Sequence, residues 1–382
     1  MTRRVYVVSE VRMHRDARGA IRAKHPAAAY DNWAPFRNVT GEVVVLARLD
    51  TTTTDDSGVL VEGEGVTVRP LPYYVGARGL VTGFWRVRAA TRGLFLPQDL
   101  VVLRLPELTS IATWAHARRA TVVSMVVADA DAFARVSLPT ALRWTAGIAR
   151  RIIGGIVRRS HAVVYVSERS LQALYPARPE APTMARSNVK VPATWGTEPR
   201  AVRGAGVFTV VTVGALAVTT KGIDVLLDAV SRMTGEPVRV IVVGDGQLKS
   251  IYIDQAARTG VVADFVGQID DRDALADILD RSDLYVCASR TEGLSRAMVE
   301  AMARGLPVVS TDVGAARELV SDDETIVPSE DAAALSVAIA RLRDDRDAWR
   351  ENSTANVQRA RQVIRAADPE LLTRFLQGLE PR

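Results

Sequence analysis

Two glutamates, Glu292 and Glu300, stand eight residues apart and are the strongest candidates in the sequence for side chains that act in binding or catalysis. The segment 289–310 around them reads as a strand end, a short loop, a helix beginning near Ser295 and a second strand. A helix N-terminus presents free N–H groups and roughly half a positive charge, so it binds anions. A phosphate there, with carboxylates on either side to accept hydrogen bonds from sugar hydroxyls, is typical of a sugar-nucleotide site.

The elements that position these glutamates follow a regular alternation in the C-terminal half. Short apolar strands alternate with amphipathic helices and Gly/Asp loops, which predicts a doubly wound parallel sheet. Ligands of such sheets bind at the carboxyl ends of the strands. Predicted strands cover 208–214, 238–244, 265–267, 283–288 and 307–310, and helices cover 222–232, 247–258, 272–280 and the segment from Ser295.

Candidate ligand contacts in this half share a position at or just after a predicted strand, or at the start of a helix. We expect them to converge on one crevice, where Lys221 places a compact positive charge on a diphosphate. The predicted binding residues are Gly214, Lys221, Gly244, Asp245, Glu292, Gly293, Leu294, Ser295, Arg296 and Glu300.

The N-terminal half shows the same alternation more faintly. Asp129 and Asp131 end a predicted strand, so either could hold a sugar hydroxyl or orient an acceptor. The tract 51–56 reads as a plain loop. Predicted strands cover 4–8, 43–46, 66–69, 100–103, 120–126 and 162–166, and helices cover 75–91, 110–119, 141–158 and 168–174.

Length and composition bound the protein class. A chain of 382 residues suits two domains, and we expect an N-terminal domain over 1–198, a nucleotide-sugar domain over 199–365, and a C-terminal helix over 366–382 that packs back on the first. No apolar run reaches the ~18–20 residues of a spanning helix. The single cysteine, Cys287, excludes an internal disulfide, so we expect a cytoplasmic protein.

The positive charge does not indicate nucleic-acid binding. The net charge is +5 and nearly all basic residues are arginine. Neither a zinc-ligand cluster nor a ladder of aromatic side chains accompanies them. An anionic ligand or membrane surface explains the charge more simply.

The glutamate segment and three others resemble family 4 glycosyltransferases, which are retaining enzymes of the GT-B fold. The segment itself continues as Ala-Met-Ala-Arg-Gly-Leu-Pro-Val-Val and then as 312–318. Gly214-Ala215-Leu216 with Lys221-Gly222-Ile223-Asp224, Val243-Gly244-Asp245-Gly246, and 278–288 agree in order and spacing. The resemblance covers roughly 205–322 and is closest to members that assemble bacterial polysaccharides.

The resemblance implies two Rossmann-like domains that face a central crevice. It implies transfer of a sugar from a UDP- or GDP-sugar co-substrate to a glycan, a lipid-linked or a small-molecule acceptor, with no tightly bound cofactor and no metal. Glu300 would bind the ribose, and Glu292 and Lys221 would act in catalysis. Together with them, we place Asp129 and Asp131 among the candidate catalytic residues.

Two departures from the family pattern keep other functions open. The early Gly-Gly loop that usually approaches the donor phosphates is absent, and Ala215 stands where an arginine often follows the first strand of the second domain. A sugar-nucleotide epimerase or hydrolase of the same fold, or a non-catalytic glycosyltransferase-like subunit, remains an alternative.

Each candidate residue also has a purely structural interpretation. Glu300 could belong to an ion-pair ladder with Arg296 and Arg304 at i±4. Glu292 could cap the helix, and Lys221 could be a solvent-exposed lysine. Asp129 and Asp131 could form an Asx turn or a helix N-cap.

Arginines punctuate the predicted helix 144–157, which also contains several isoleucines. Such a helix could lie on an anionic membrane at the inner face of the plasma membrane, or it could pack on its own sheet with a solvated basic face. The arginines are Arg143, Arg150, Arg151, Arg158 and Arg159.

Overall fold

The computed structural model describes residues 3–131, 146–192, 194–200 and 206–381, which form two largely parallel sheets covered by helices on both faces. The GT-B prediction is confirmed at the level of the fold by this arrangement. Residues 141–145 at the start of the predicted helix 141–158 lie outside the described residues, as do Ala193 and 201–205 near the predicted domain boundary after 198.

The first sheet contains nine strands with helices between them. The strands are β1 (Val5–Arg15), β2 (Ile21–Ala23), β3 (Val43–Thr54), β4 (Val59–Leu60), β5 (Val66–Leu71), β6 (Leu100–Leu105), β7 (Thr121–Val126), β8 (Ala162–Tyr165) and β9 (Thr183–Ala185). The helices are α1 (Ala34–Thr40), α2 (Gly76–Ala90), α3 (Leu108–Ala117), α4 (Ala146–Val157) and α5 (Ser170–Leu174).

The second sheet contains six strands. They are β10 (Phe208–Val213), β11 (Val238–Val243), β12 (Val262–Gly267), β13 (Leu284–Cys287), β14 (Val308–Thr311) and β15 (Ile326–Val327). The helices are α6 (Ile223–Ser231), α7 (Lys249–Thr259), α8 (Arg272–Asp280), α9 (Arg296–Ala303), α10 (Ala316–Leu319), α11 (Ala332–Asp344), α12 (Arg346–Ala366) and α13 (Pro369–Gln377).

The strand order of the second sheet decides where a ligand can bind. The order is β12-β11-β10-β13-β14-β15, and every neighbouring pair is parallel. The chain therefore winds outward in one direction from β10 and in the other from β13. The crevice outside the carboxyl ends of those two strands is the topological switch point, where ligands of doubly wound sheets bind.

The first sheet departs from the sequence prediction at its edge. Its parallel part runs β5-β3-β1-β6-β7-β8-β9, while β2 and β4 pair antiparallel beyond β1. β1 and β3 continue as partners out to Arg15 and Thr54, so the predicted loop at Thr51–Thr54 is wrong. Threonine is β-branched and suits a strand wherever a partner strand is present, and that long-range partner cannot be seen in local sequence.

The C-terminal helices connect the two sheets. α12 packs against α9 beside the second sheet, and α13 packs against α1 beside the first. Leu372 and Leu376 of α13 are buried in the apolar core on that face of the first sheet. Within the described residues, no helix combines the length and the apolar character needed to cross a membrane.

A buried carboxylate also joins the two halves. Glu318 of α10 accepts hydrogen bonds from the backbone N–H groups of Arg169 and Ser170 at 3.1 and 2.6 Å. Arg359 of α12 pairs with Glu168 at 2.8 Å and donates to the carbonyl of Glu318. These contacts hold the start of α5 against the second domain.

Candidate functional site

Lys221 and Glu292 meet at the switch point of the second sheet. Lys221 follows β10 and Glu292 follows β13, the two strands whose carboxyl ends border the crevice. The Lys221 ammonium donates a hydrogen bond to Glu292 Oε1, and the Ser289 hydroxyl donates to the same oxygen at 3.1 Å. Both side chains are partly exposed, so the pair can be reached by a ligand.

Gly214 makes room for this pair. A Cβ at position 214 would lie 2.8 Å from the Cγ, Cδ and Cε atoms of Lys221, because the lysine stem crosses the glycine backbone. Only a residue without a side chain lets the stem follow this path. The first residue after β10 therefore determines where the lysine charge lies.

The protonation of Lys221 reflects two opposed effects. Burial acts to lower the pKa of the ammonium, but the charge and hydrogen bond of Glu292 act in the other direction and leave the pKa raised. Lys221 is therefore a cation at neutral pH. A diphosphate bound beside it would meet a full positive charge.

The N-terminus of α9 faces the same crevice. Its N-cap is Ser295, and no side chain caps it among the described residues. Glu292 therefore does not act as the helix cap, which was its structural interpretation. The amides of Leu294, Ser295 and Arg296 lie where an anion can accept from them, next to the Lys221 charge.

Glu300 lies one turn further into α9 and has a partner that sequence reasoning did not find. Arg272 at the start of α8 donates to Glu300 Oε1 at 3.0 Å, and the carboxylate is 12% exposed. Within the described residues neither Arg296 nor Arg304 pairs with it, and Arg304 pairs with Asp280 instead. The i±4 ladder is therefore absent.

Burial has the largest effect on the pKa of Glu300. Desolvation raises the pKa of its carboxyl, and the charge and hydrogen bond of Arg272 only partly oppose this. The Arg272 guanidinium in turn stacks over the buried Trp195 ring, 4.8 Å from its centroid, with Arg304 at 5.7 Å. A signal for Arg272 existed, because it is the first residue of α8, the helix that follows β12 at the carboxyl edge of the sheet.

Gly244 and Asp245 directly follow β11, beside the pair. The Gly244 N–H donates to the Gly267 carbonyl at 2.8 Å, and Asp245 accepts from the Gly246 N–H at 2.7 Å. The Asp245 side chain is exposed and its ion pair with Lys249 is long, at 3.8 Å. These residues form one wall of the crevice.

The first domain approaches the glutamate loop closely. A Cβ on Gly293 would lie 2.1 Å from the carbonyl oxygen of Val127, so only glycine allows the two backbones to approach this closely. Asp129, two residues later, accepts from the Tyr175 hydroxyl at 2.7 Å and from the Asp131 N–H at 3.0 Å. Asp129 thus lies two residues beyond the point where the first domain meets the glutamate loop, and the bond to Asp131 is that of an Asx turn.

A second, partly buried polar group, at the switch point of the first sheet, was missed by sequence reasoning. Glu10 on β1 donates its N–H to Glu107 Oε2 at 2.7 Å, and Arg104 at the end of β6 lies 3.4 Å from the other oxygen of Glu107. Thr109 donates its N–H and hydroxyl to Glu10 at 2.9 and 2.8 Å. β1 and β6 neighbour each other as β10 and β13 do, so this group occupies the equivalent position in the first sheet.

Burial raises the pKa of Glu107 to about 7, although Arg104 favours the ionised form. The described residues contain no group of three or more His, Cys, Asp or Glu side chains that could hold a metal ion. The crevice can thus stabilise a diphosphate with a lysine and helix amides, and bind hydroxyl groups with carboxylates.

Residues 207–345 match the family model described as Glycosyl transferases group 1. The phosphatidyl-myo-inositol mannosyltransferase of Mycobacterium leprae is 38% identical over 144 residues, which cover 36% of this chain and 38% of that protein. The lipopolysaccharide core biosynthesis mannosyltransferase LpsB of Rhizobium meliloti is 38% identical over 97 residues, or 24% and 27% of the two chains. The chain thus matches these curated relatives over well under half of their length, and the resemblance seen in 205–322 is confirmed.

Solved structures match over the whole chain. Sucrose-phosphate synthase from Thermosynechococcus elongatus superimposes with a TM-score of 0.70 at 17% identity, covering 98% of this chain and 97% of that one. Anabaena HepE in complex with UDP-glucose has a TM-score of 0.66 at 17% identity and covers 98% of each chain. At this identity the likeness establishes the fold.

Proposed function

Because residues 207–345 of this chain match the family model of the group 1 glycosyltransferases, we propose that the protein transfers a sugar from a nucleoside-diphosphate sugar to an acceptor, with retention at the anomeric carbon. UDP- and GDP-sugars are the donor candidates. The observation that carries the proposal is the contact between Lys221 and Glu292 at the switch point of the second sheet, next to the start of α9, the helix that carries Glu300.

The donor has a natural orientation in this crevice. Glu300 accepts hydrogen bonds from the ribose hydroxyls, and the diphosphate lies between Lys221 and the amides of Leu294–Arg296. The sugar then reaches Glu292 and the first domain near Asp129. Such an orientation uses each charged group of the crevice for a part of the donor with matching chemistry.

Catalysis is electrostatic in this proposal. The bond from the anomeric carbon to the diphosphate oxygen breaks as the acceptor oxygen bonds to that carbon on the same face, and the acceptor proton passes to the departing phosphate oxygen. Lys221 and the helix amides stabilise the negative charge that develops on the diphosphate. A front-face attack of this kind needs no protein nucleophile.

The two domains bind different substrates in this proposal. We propose that 1–198 holds the acceptor, that 199–365 holds the nucleotide sugar and that 366–382 fastens the end of the chain to the first domain. Asp129 and Asp131 then contribute to acceptor or sugar positioning. Glycan, lipid-linked and small-molecule acceptors fit this division, and a peripheral contact of a cytoplasmic protein with an anionic membrane would bring a lipid-linked one within reach.

Incubation with labelled UDP- and GDP-sugars and a panel of acceptors tests the proposal. We expect a transfer product whose new linkage keeps the donor's anomeric configuration in NMR spectra of the fresh product. An epimer or free sugar as the main product would favour an epimerase or hydrolase instead. An inverted linkage would contradict retention, and no reaction despite donor binding would favour a non-catalytic subunit.

Thermal stabilisation by free nucleotides provides an independent readout of the donor site. A ligand at 100 times its Kd stabilises a protein by about 2.7 kcal/mol. We expect UDP or GDP to raise the melting temperature, and we expect Glu300→Ala to weaken that effect. Equal stabilisation of the variant would place the nucleotide elsewhere.

A further inference from the structure

Three helices on one face of the first sheet carry many arginines and no acidic residue. Residues 81–98, 108–120 and 146–161, which include most of α2 and all of α3 and α4, contain no Asp or Glu. We call the surface of these stretches the arginine face. Its arginines are Arg86, Arg88, Arg92, Arg118, Arg119, Arg150, Arg151, Arg158 and Arg159.

The arginine side chains of this face point to solvent. All except the half-buried Arg88 are exposed. Arg118 has an interaction partner, and none of the other eight pairs with an acidic side chain in the described part of the chain. Arginines of the second domain such as Arg239, Arg290 and Arg317 do form such pairs. Among the described residues, the charge of the other eight is therefore not balanced by an acidic partner.

Apolar side chains stand between these charges. Val81 and Trp85 of α2, one turn apart, are 66% and 64% exposed. Ile148 and Ile152 of α4, also one turn apart, are 44% and 46% exposed. The buried sides of both helices already pack on the sheet through residues such as Val87 and Ile153, so the exposed pairs are a second apolar surface.

The three helices share one face of the first sheet. α2 packs against α3, and α3 and α4 connect neighbouring strands of the sheet, β6 to β7 and β7 to β8. All three contribute to the same apolar core on one face of the sheet, while α1 and α13 cover the opposite face.

We propose that the arginine face docks the first domain onto an anionic lipid bilayer, with Trp85 and the exposed aliphatic side chains entering the interface. Basic side chains gain attraction from anionic lipids, and tryptophan favours the interfacial region. This inference specifies the surface that makes the proposed membrane contact. It rests on the proposed function only where it implies that the acceptor is lipid-linked. The contact extends over α2, α3 and α4, whereas the sequence had pointed to α4 alone.

Co-sedimentation of the full chain with vesicles tests the surface. We expect binding to vesicles of phosphatidylglycerol and phosphatidylcholine, little binding to phosphatidylcholine alone, and loss at high salt. The variant Arg86→Gln, Arg92→Gln, Arg151→Gln, Arg158→Gln should bind at least about a hundredfold more weakly, since each arginine near an anionic surface contributes roughly fivefold. Trp85→Ser with Val81→Ser should weaken binding while keeping its salt dependence.

A matched control removes the same charge from the second domain. The variant Arg232→Gln, Arg239→Gln, Arg258→Gln, Arg281→Gln loses four exposed arginines and should bind vesicles like the unaltered protein. Equal weakening in both variants would show a response to net charge only and would overturn the proposal, as would binding to neutral vesicles or none to anionic ones.

Failure of this inference can be told apart from failure of the proposed function. Nucleotide stabilisation should be the same in all these variants and also confirms that they fold. If vesicle binding is absent while UDP or GDP still stabilises the chain, the docking surface is wrong and the donor site stands.

Discussion

Glu300 is a largely buried carboxylate with one basic partner, placed one turn behind a free helix N-terminus. Such a group is costly to bury unless it is paired or binds a ligand. Arg272 satisfies one of its oxygens, and the proposed ribose hydroxyls would satisfy the rest. The residue therefore serves as the anchor of the nucleotide in the proposed function.

Glu300→Ala should raise the donor KM and leave the fold intact. Losing a hydrogen bond to a charged group costs about 1.5–3 kcal/mol, or ~10–150-fold. Steady-state kinetics with the donor varied would measure it. Asp280→Ala, which removes the partner of Arg304 outside the crevice, is the control and should leave the donor KM unchanged. An unchanged KM in folded Glu300→Ala would refute the assignment.

Lys221→Ala should reduce turnover more than Lys221→Arg does. The leaving diphosphate develops negative charge, and a positive side chain beside it stabilises that charge. Removing a single preorganised electrostatic contact of this kind lowers kcat about 100–1,000-fold. Lys249→Ala supplies the matched control, since Lys249 also neighbours a carboxylate in the second domain. If the Lys221→Ala variant bound nucleotide diphosphate as tightly as the unaltered protein, Lys221 would have only a surface role.

At the scale of elements, the start of α8 determines the electrostatics of α9. Arg272 at that start holds Glu300, stacks on Trp195 and donates to the carbonyl of Lys190 at 3.1 Å. Trp195 belongs to the segment that connects the two sheets. Arg272 therefore contacts both Glu300, the carboxylate proposed to bind the donor, and the segment between the two sheets.

Arg272→Gln should make donor binding more sensitive to acid. Burial raises the pKa of Glu300 and Arg272 opposes it, so the pKa rises further without the arginine. The ionised form binds the ribose in the proposed function, so the donor KM of the variant should rise as pH falls, beginning at a higher pH than in the unaltered protein.

The control for this prediction is Arg304→Gln. Arg304 also stacks on Trp195 but pairs with Asp280 rather than Glu300. The Arg304→Gln variant should therefore lose packing on Trp195 in the same way, but the pH profile of its donor KM should not shift. The same shift in both variants would mean that Trp195 packing, not the charge of Arg272, controls the site.

At the scale of the whole molecule, the switch points of both sheets hold partly buried ionisable groups, and Glu107 is one that opposes folding in part. Glu107 lies at the first of them, with a pKa raised from 4.5 to about 7 by burial. Between these two values the folded protein binds more protons than the unfolded chain does. The contribution of Glu107 therefore lowers stability as pH rises from about 4.5 to 7 and stays constant above that.

Glu107→Gln should thus stabilise the protein at pH 8 and have little effect at pH 5. The shift corresponds to at most about 3 kcal/mol, and the glutamine can still accept from the Glu10 N–H. Urea unfolding at both pH values measures the difference. Glu64→Gln, at an exposed carboxylate of the same domain, should be nearly neutral at both. A gain of equal size at pH 5 and pH 8 would show that burial of the charge is not its cause.

Local sequence was sufficient for most elements of the second domain and for the residues proposed to bind the donor. Predicted and observed bounds differ by a few residues at most, and for α8 the predicted and observed bounds are both 272–280. Periodicity and strand-end position are properties of a short window, so they identify Lys221, Glu292 and Glu300 without a structure. The roles of these residues in catalysis and binding stay predictions until they are tested.

Tertiary structure decided which charged groups meet. Lys221 and Glu292 are 71 residues apart, Glu10 and Glu107 are 97 apart, and Glu300 pairs with Arg272 in preference to the arginines beside it on its own helix. In a chain with 49 basic and 44 acidic residues, sequence offers many possible partners for each charge. The strand order of the two sheets brings a particular few together at the switch points, because only packing over long separations determines which strand ends are neighbours.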